Sequence, residues 1–365
     1  MNAGEARLEV DLEALAANFH TLQEQAPAAE VAPVVKADGY GLGAGPLALR
    51  LWREGARRFF VARVSEGERL RAALGPHRPA DIYVLDGAPH AAIPSIAAAA
   101  LIPVLNTLGQ VEEVSAFAGT RMKLPVALHI DTGLNRLGLR VEEAAALAQA
   151  PDRLRGLDLQ LVMSHLACGP TPGHPMNRRQ LDAFREAADL FPDARRSLAN
   201  SAGVFLGPEF HFDVVRPGIT LYGGGPQERH DARIAPIATL QAPILQVRAV
   251  PPGESVGYDA TFTATRPTRV AILPLGHADG LLRGLGGRGF AWFEGARRPY
   301  LGSVSMDLVA IDVSGCRGAR PGAVVELLGP NVPVDELAEA AGTISYEVLV
   351  RLGDRAERVY RGGTG

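Results

Sequence analysis

Lysine is nearly missing from this chain. Of 37 basic residues only Lys36 and Lys123 are lysine, so any chemistry that needs a side-chain amine has two candidates. Cysteine is as scarce, and Cys168 and Cys316 cannot build a disulfide framework in 365 residues. The segment Met1–Asp11 carries Glu5, Arg7, Glu9 and Asp11 where a signal peptide would need an apolar stretch, so a cytoplasmic location is expected. Neither sign of charge dominates: 37 basic against 40 acidic residues leave a net −3, with no electrostatic footprint for nucleic acid or an anionic membrane surface. Long hydrophobic runs are also absent. The longest, Ala91–Leu105, is mostly alanine, is interrupted by Pro94, Ser95 and Pro103, and falls short of the ~18 residues of a membrane-spanning helix. It reads as a helix followed by a buried strand.

What is plentiful is apolar sequence, 47% of residues, together with 41 glycines and 27 prolines, the composition of a loop-rich globular protein of two or three domains. Through the first 220 or so residues, short β-branched segments alternate with helix-like ones. Eight strands are expected: Val31–Val35, Phe59–Ala62, Ile82–Leu85, Ile102–Leu105, Pro125–Ile130, Leu159–Met163, Arg196–Ala199 and Phe212–Arg216. The clearest helices are Leu12–Leu22, with Asp11 as N-cap, and Asn177–Phe191. Eight such units fit a (β/α)8 TIM barrel; an open doubly wound sheet shares the pattern, and the barrel is favoured. After Tyr222 the texture turns to strands with short turns, Arg233–Val250, Arg269–Leu275, Gly289–Phe293, Leu308–Val313 and Ala323–Leu328, with two short helices, Asp335–Ala341 and Tyr346–Leu352. The division expected is a barrel over residues 1–228 and a mostly β domain over 229–365, with the first ten or so residues free to pair with the β domain.

A barrel places its active site where the strands end. Lys36 ends the first strand; Asp131, Thr132, Gly133 and Arg136 follow the fifth, Ser164 and His165 the sixth, Asn200 and Ser201 the seventh, and Arg216 and Gly218 the eighth. Lys123 precedes the fifth strand and belongs to the opposite rim, which selects Lys36. A partly desolvated lysine loses part of its charge and becomes a nucleophile for carbonyl compounds, although snorkelling to solvent or pairing with Asp38 would suit a lone lysine equally well. Ser201, Gly218 and Ile219 offer amides for a phosphate, and a phosphate beside a reactive lysine suggests pyridoxal phosphate. Competing signals fail. Gly39, Gly41, Gly43 and Gly45 lack dinucleotide-loop spacing, Asp131-Thr132-Gly133 has no second copy for an aspartic protease, and His165 with Cys168 lacks further ligands, so no metal site is expected.

On these residues the chain resembles the alanine racemases among the fold-type III pyridoxal phosphate enzymes, over nearly its whole length. The motifs are Val35-Lys36-Ala37-Asp38-Gly39-Tyr40-Gly41, His129-Ile130-Asp131-Thr132-Gly133-Leu134-Asn135-Arg136-Leu137-Gly138, Asn200-Ser201-Ala202-Gly203, Arg216-Pro217-Gly218-Ile219, Val256-Gly257-Tyr258, Ala278-Asp279-Gly280 and Ser305-Met306-Asp307. The resemblance implies a homodimer acting on alanine, with Lys36 and the partner subunit's Tyr258 as bases on opposite faces and His165 and Arg216 hydrogen-bonded behind the tyrosine. It implies Arg216 against the pyridine nitrogen, and Tyr40, Asn200, Ser201, Gly218, Ile219 and Tyr346 in the cofactor site. Arg136 and Met306 would contact the substrate, with Asp307 in support.

Two positions depart from the family. His129 stands where well-known members carry a carbamylated lysine that orients the arginine, so Asn135, a bound anion or His129 itself is expected to orient Arg136. His277 stands where a tyrosine is usual near the entrance, which points to altered access. Alternatives are a serine or broad-specificity racemase, a basic amino-acid decarboxylase, whose substrate cysteine Ser305-Met306-Asp307 lacks, and a cofactor-homeostasis protein, which would leave residues 230–365 without a purpose.

Overall fold

The computed structural model describes residues 5–119 and 123–363. The outermost residues of the two expected domains, 1–4 and 364–365, lie outside the described residues. Two compact units emerge: Phe19–Gly39 with Gly43–Leu221, and Met1–Asn18 with Tyr40–Leu42 and Tyr222–Gly365. The first strand, β1 (Arg7–Asp11), belongs to the second of these. Asp11 then caps the helix Leu12–Gln25, its Oδ1 accepting the Glu13 and Ala14 amides at 2.8 and 2.9 Å.

The larger unit is built on eight parallel strands: β2 (Glu30–Val31), β3 (Arg58–Val61), β4 (Asp81–Val84), β5 (Leu101–Leu105), β6 (Leu124–His129), β7 (Leu157–Met163), β8 (Arg195–Ser197) and β9 (Val214–Val215). Strands β3 to β8 form one sheet in sequence order and β2 pairs with β9. Parallel bridges at Val34–Phe60 and Asn200–Arg216 close the ring. All eight expected strands are present, the first and last shortened to two residues each. Past Val31 the chain runs through Pro33, which has no amide to donate, and pairing goes on as single bonds, the Ala32 and Val34 amides donating to Val215 O and Pro217 O on one side and the Val35 amide to Phe60 O and the Phe60 amide to Pro33 O on the other. Helices between the strands cover the outside, which is why β3, β4 and β5 are almost wholly buried and read as continuous apolar runs. Phe59, Phe60 and Tyr83 are fully buried, and the rings of Phe60 and Tyr83 stack at 4.7 Å. Side chains of this size contribute about 1.5–3 kcal/mol each by leaving water.

The second unit adds β10 (Ala238–Pro243), β11 (Gln246–Val250), β12 (Ser255–Val256), β13 (Phe262–Thr263), β14 (Thr268–Leu273), β15 (Phe290–Phe293), β16 (Ala296–Pro299), β17 (Val309–Asp312), β18 (Val324–Leu328) and β19 (Glu357–Arg361). Its main sheet runs β16-β15-β18-β10-β1-β19, with β11-β14-β17 as a second sheet and β12-β13 as a hairpin. The expected single strand Arg233–Val250 is therefore two strands in different sheets, parted at Ile244 and Leu245 after Pro243. No helix among the described residues is long and apolar enough to cross a membrane.

Candidate functional site

Parallel strands end on one rim, and the residues that follow β2, β6, β7, β8 and β9 gather there. Lys36 opens a turn in which Ala37, Asp38, Gly39 and Tyr40 all adopt left-handed conformations, with φ of 52°, 53°, 63° and 57°, and Gly41 continues at 81°. For residues with a Cβ this costs roughly 1–2 kcal/mol each, so the turn persists only because its surroundings hold it. The Gly39 amide donates to Val35 O at 2.9 Å, and the Gly43 amide to Asp38 O at 2.8 Å. The Ala44 amide donates to Asp38 Oδ1 at 2.8 Å and the Ala37 amide to Glu66 Oε1 at 2.9 Å. Gly39 is required twice over, by its φ and because a Cβ there would lie 2.5 Å from Leu47 Cδ1.

Burial first, then the charges of Arg136 and Arg216, pull the Lys36 amine below an ordinary lysine, while Glu66 and Asp86 oppose the shift. His165 is depressed well below a free histidine by burial and by Arg216, Arg136 and Lys36. Burial takes His129 down to about 4 and Arg216 to about 9. At neutral pH both histidines are therefore uncharged and Arg216 remains a cation. Its guanidinium donates to Ser197 Oγ, Ser164 O and Leu198 O and lies over the Phe60 ring at 5.9 Å.

Among the described residues no side-chain hydrogen bond joins His165 to Arg216, because the arginine spends its donors on strand ends. His165 is held through its main chain, whose oxygen accepts Gln180 Nε2 at 2.9 Å. Of the groups expected to orient Arg136, neither Asn135 nor His129 does so: no hydrogen bond or ion pair holds its guanidinium among the described residues. Asn135 Nδ2 turns to Gly133 O at 3.4 Å, and His129 Nδ1 faces Asn106 Oδ1 at 2.9 Å. Asn106 uses its amide nitrogen on Leu85 O and Val104 O, so its oxygen must accept, and His129 carries its proton on Nδ1. Asp131 takes the amides of Gly133, Leu134 and Asn135 on its carboxylate and so shapes the loop that carries Arg136.

At the ends of β8 and β9, next to β2 in the ring, the Ser201 hydroxyl gathers the Gly218 amide at 2.8 Å and the Thr220 amide and hydroxyl at 3.4 and 3.2 Å. Asn200 Oδ1 accepts the Gly203 amide at 3.0 Å and fixes the same loop. Ser201, Ile219 and Thr220 are buried, so this concentration of donors suits an oxyanion.

In the second unit Tyr40 packs against Tyr222 and Tyr346, ring centroids 4.6 and 5.8 Å away. Burial pushes Tyr346 up to about 12 and Tyr40 well above an ordinary phenol, so both hydroxyls stay protonated and can donate. Tyr258 follows Gly257 at the tip of the β12-β13 hairpin and is 69% exposed; Asp259 and Ala260 after it also have positive φ. Met306 is 59% exposed, and its carbonyl accepts the Ala278 amide at 3.0 Å. The neighbouring Ser305 O accepts the amide of His277, itself exposed, at 3.0 Å. Arg355 links Asp307 at 2.8 Å to buried Asp279 at 3.3 Å.

Glu66, Asn106, Gln180, Thr220 and Tyr222 do not stand out in the sequence as site residues. Glu66 carried the capping signal of an acid three residues after the helix cap, and Gln180 and Asn177 were polar residues beside an apolar helical face. Nothing local marked Asn106, whose partner lies 23 residues away.

Family models described as "Alanine racemase, N-terminal domain" and "Alanine racemase, C-terminal domain" match residues 10–226 and 237–360. An alanine racemase of Methylobacterium sp. (strain 4-46) is 47% identical, over 97% of each chain. A protein of Agrobacterium fabrum named "Alanine racemase, catabolic" is 44% identical over 97% of this chain and 91% of its own. The crystal structure of alanine racemase from Bartonella henselae with covalently bound pyridoxal phosphate superposes with a TM-score of 0.92 at 36% identity, covering 98% of this chain and 99% of that one.

Proposed function

The chain belongs to the alanine racemase family, and on that premise we propose that it is an isomerase interconverting L-alanine and D-alanine with pyridoxal phosphate as cofactor. The carrying observation is the rim cluster, in which a lysine with disfavoured charge lies in the field of Arg136 and Arg216 on the same rim as the donors around Ser201. These residues fit the cofactor. Lys36 suits its aldehyde and Ser201 with the Gly218 and Ile219 amides its phosphate, Asn200 fixing the Ser201 loop; the family resemblance assigns the phenols of Tyr40 and Tyr346 to the same phosphate. When bound, the cofactor withdraws electrons from the joined amino acid and acidifies its α-hydrogen.

The remaining work falls to side chains. Inversion needs a base on each face, and Lys36 removes or returns the proton on one while Tyr258 of the partner subunit serves the other. The exposure of Tyr258 and Met306 supports a homodimer whose sites are completed across the interface. Arg216 stays charged at neutral pH and has no lone pair to accept a proton, so it would keep a cofactor ring nitrogen placed against it unprotonated. That restraint favours return of the proton over loss of the amino group. Arg136 and the Met306 amide would engage the substrate, with His165 behind the tyrosine and His277 and Asp307 toward the entrance. Two unpaired cysteines agree with a cytoplasmic enzyme, whose D-alanine would enter peptidoglycan.

The test is chiral chromatography of the cofactor-loaded protein with L-alanine, and separately with L-serine, L-lysine and L-arginine. Equal amounts of both alanine enantiomers at equilibrium, with the other substrates unchanged, is the expected result. Absence of D-alanine would overturn the reading.

A further inference from the structure

Glu66 reaches from one strand end to the turn that carries the lysine of another. It lies in the first turn of the helix Val64–Leu74, where its Oε2 accepts the Ala62 and Arg63 amides at 2.8 and 3.2 Å. Its other oxygen, Oε1, accepts the Ala37 amide at 2.9 Å, and Ala37 is the first left-handed residue after Lys36. The capping geometry alone does not require this second contact. Glu143 caps the helix Val141–Ala148 in the same way, through the Arg140 amide at 2.8 Å. Four charged groups act on the Lys36 amine, Glu66 and Asp86 favouring its charge and Arg136 and Arg216 opposing it. Beside the turn a cavity of about 220 Å³, bordered by Val35, Asp38, Glu66 and Arg69, leaves room for the strained backbone to relax if the bond is cut.

We propose that Glu66 is a positioning residue for Lys36: its bond to the Ala37 amide holds the left-handed turn from which the lysine side chain leaves the backbone, and its charge balances the arginines around the amine. This rests on Lys36 being the lysine of the proposed reaction. One carboxylate thus couples the β3 strand end to the β2 strand end, and a neutral amide of the same size cannot accept from both sides at once.

Competitive amine labelling of the cofactor-free protein from neutral to alkaline pH tests the idea, since Lys36 and Lys123 are the only lysines and exposed Lys123 serves as internal reference. In Glu66→Gln the labelling midpoint of Lys36 is expected to fall by about half a pH unit or more, because a favourable charge is lost. Lys123 should not move, and after cofactor loading kcat should fall roughly tenfold with KM little changed. Glu143→Gln should lower thermal stability similarly and alter neither lysine nor turnover. Parental Lys36 labelling and kcat in Glu66→Gln, or the same shift in Glu143→Gln, overturns the proposal. Should Glu66→Gln not fold, Glu66→Asp keeps the charge while drawing the carboxylate back from Ala37; slowed turnover with an unmoved midpoint is expected, and parental turnover overturns the proposal. Labelling needs neither cofactor nor substrate, so a protein inactive on alanine would fail the functional reading without deciding this one.

Discussion

Lys36 sits where burial and two arginines work against its charge, and His129 and His165 share that environment, Asp131 only partly opposing the shift at His129. The consequence for stability can be signed. Unfolded His129 takes a proton near its ordinary 6.5 and the folded one only near 4. Between these values the unfolded chain binds the proton that the folded chain refuses, so stability is present above pH 6.5 and falls as the pH drops toward 4. The full loss is on the order of 3 kcal/mol. His129→Gln keeps a donor for Asn106 and removes the titration, so thermal melts from pH 7 to 4.5 should show a shallower decline than the parent; a parental slope would locate the titrating group elsewhere. The sequence exposed Lys36 through lysine scarcity and strand position. It could not expose what holds each group, because Glu66, Asn106 and Gln180 act across 29, 23 and 15 residues of chain.

The barrel strands were legible as elements because a parallel strand covered by helices is buried on both faces and reads as an uninterrupted apolar run. Strand β19 was not: it carries charged Glu357, Arg358 and Arg361 among five residues at the sheet edge, where one side lies open to water. The left-handed turn was illegible for another reason. Ala37 and Tyr40 carry no propensity for positive φ and Asp38 only a modest one, so the turn is imposed by hydrogen bonds to Glu66, Val35 and Ala44. At Gly39 a side chain would meet both a positive φ and the Leu47 methyl. Gly39→Ala should cost roughly 1–3 kcal/mol in folding and weaken cofactor binding more than its stability loss explains. Calorimetry with cofactor titration measures both, and parental values would mean that the turn relaxes freely.

At the scale of the molecule, two units of different architecture carry the two proposed bases, Lys36 in the barrel unit and Tyr258 on an exposed hairpin of the other. If each site takes its tyrosine from the partner subunit, co-refolded Lys36→Ala and Tyr258→Ala chains should regain up to about a quarter of parental activity, since half the dimers are mixed and each holds one intact site. No recovery would place both bases in one chain. The most direct measurement is proton NMR of the cofactor-loaded protein in D2O, following the α-hydrogen of L-alanine and of D-alanine in separate samples, for the parent and for Tyr258→Phe. Two-base racemisation predicts exchange of both enantiomers in the parent with the methyl signal retained, and in Tyr258→Phe a loss far greater for one enantiomer than for the other. Absence of exchange in the loaded parent, or equal loss from both enantiomers in the variant, would contradict it.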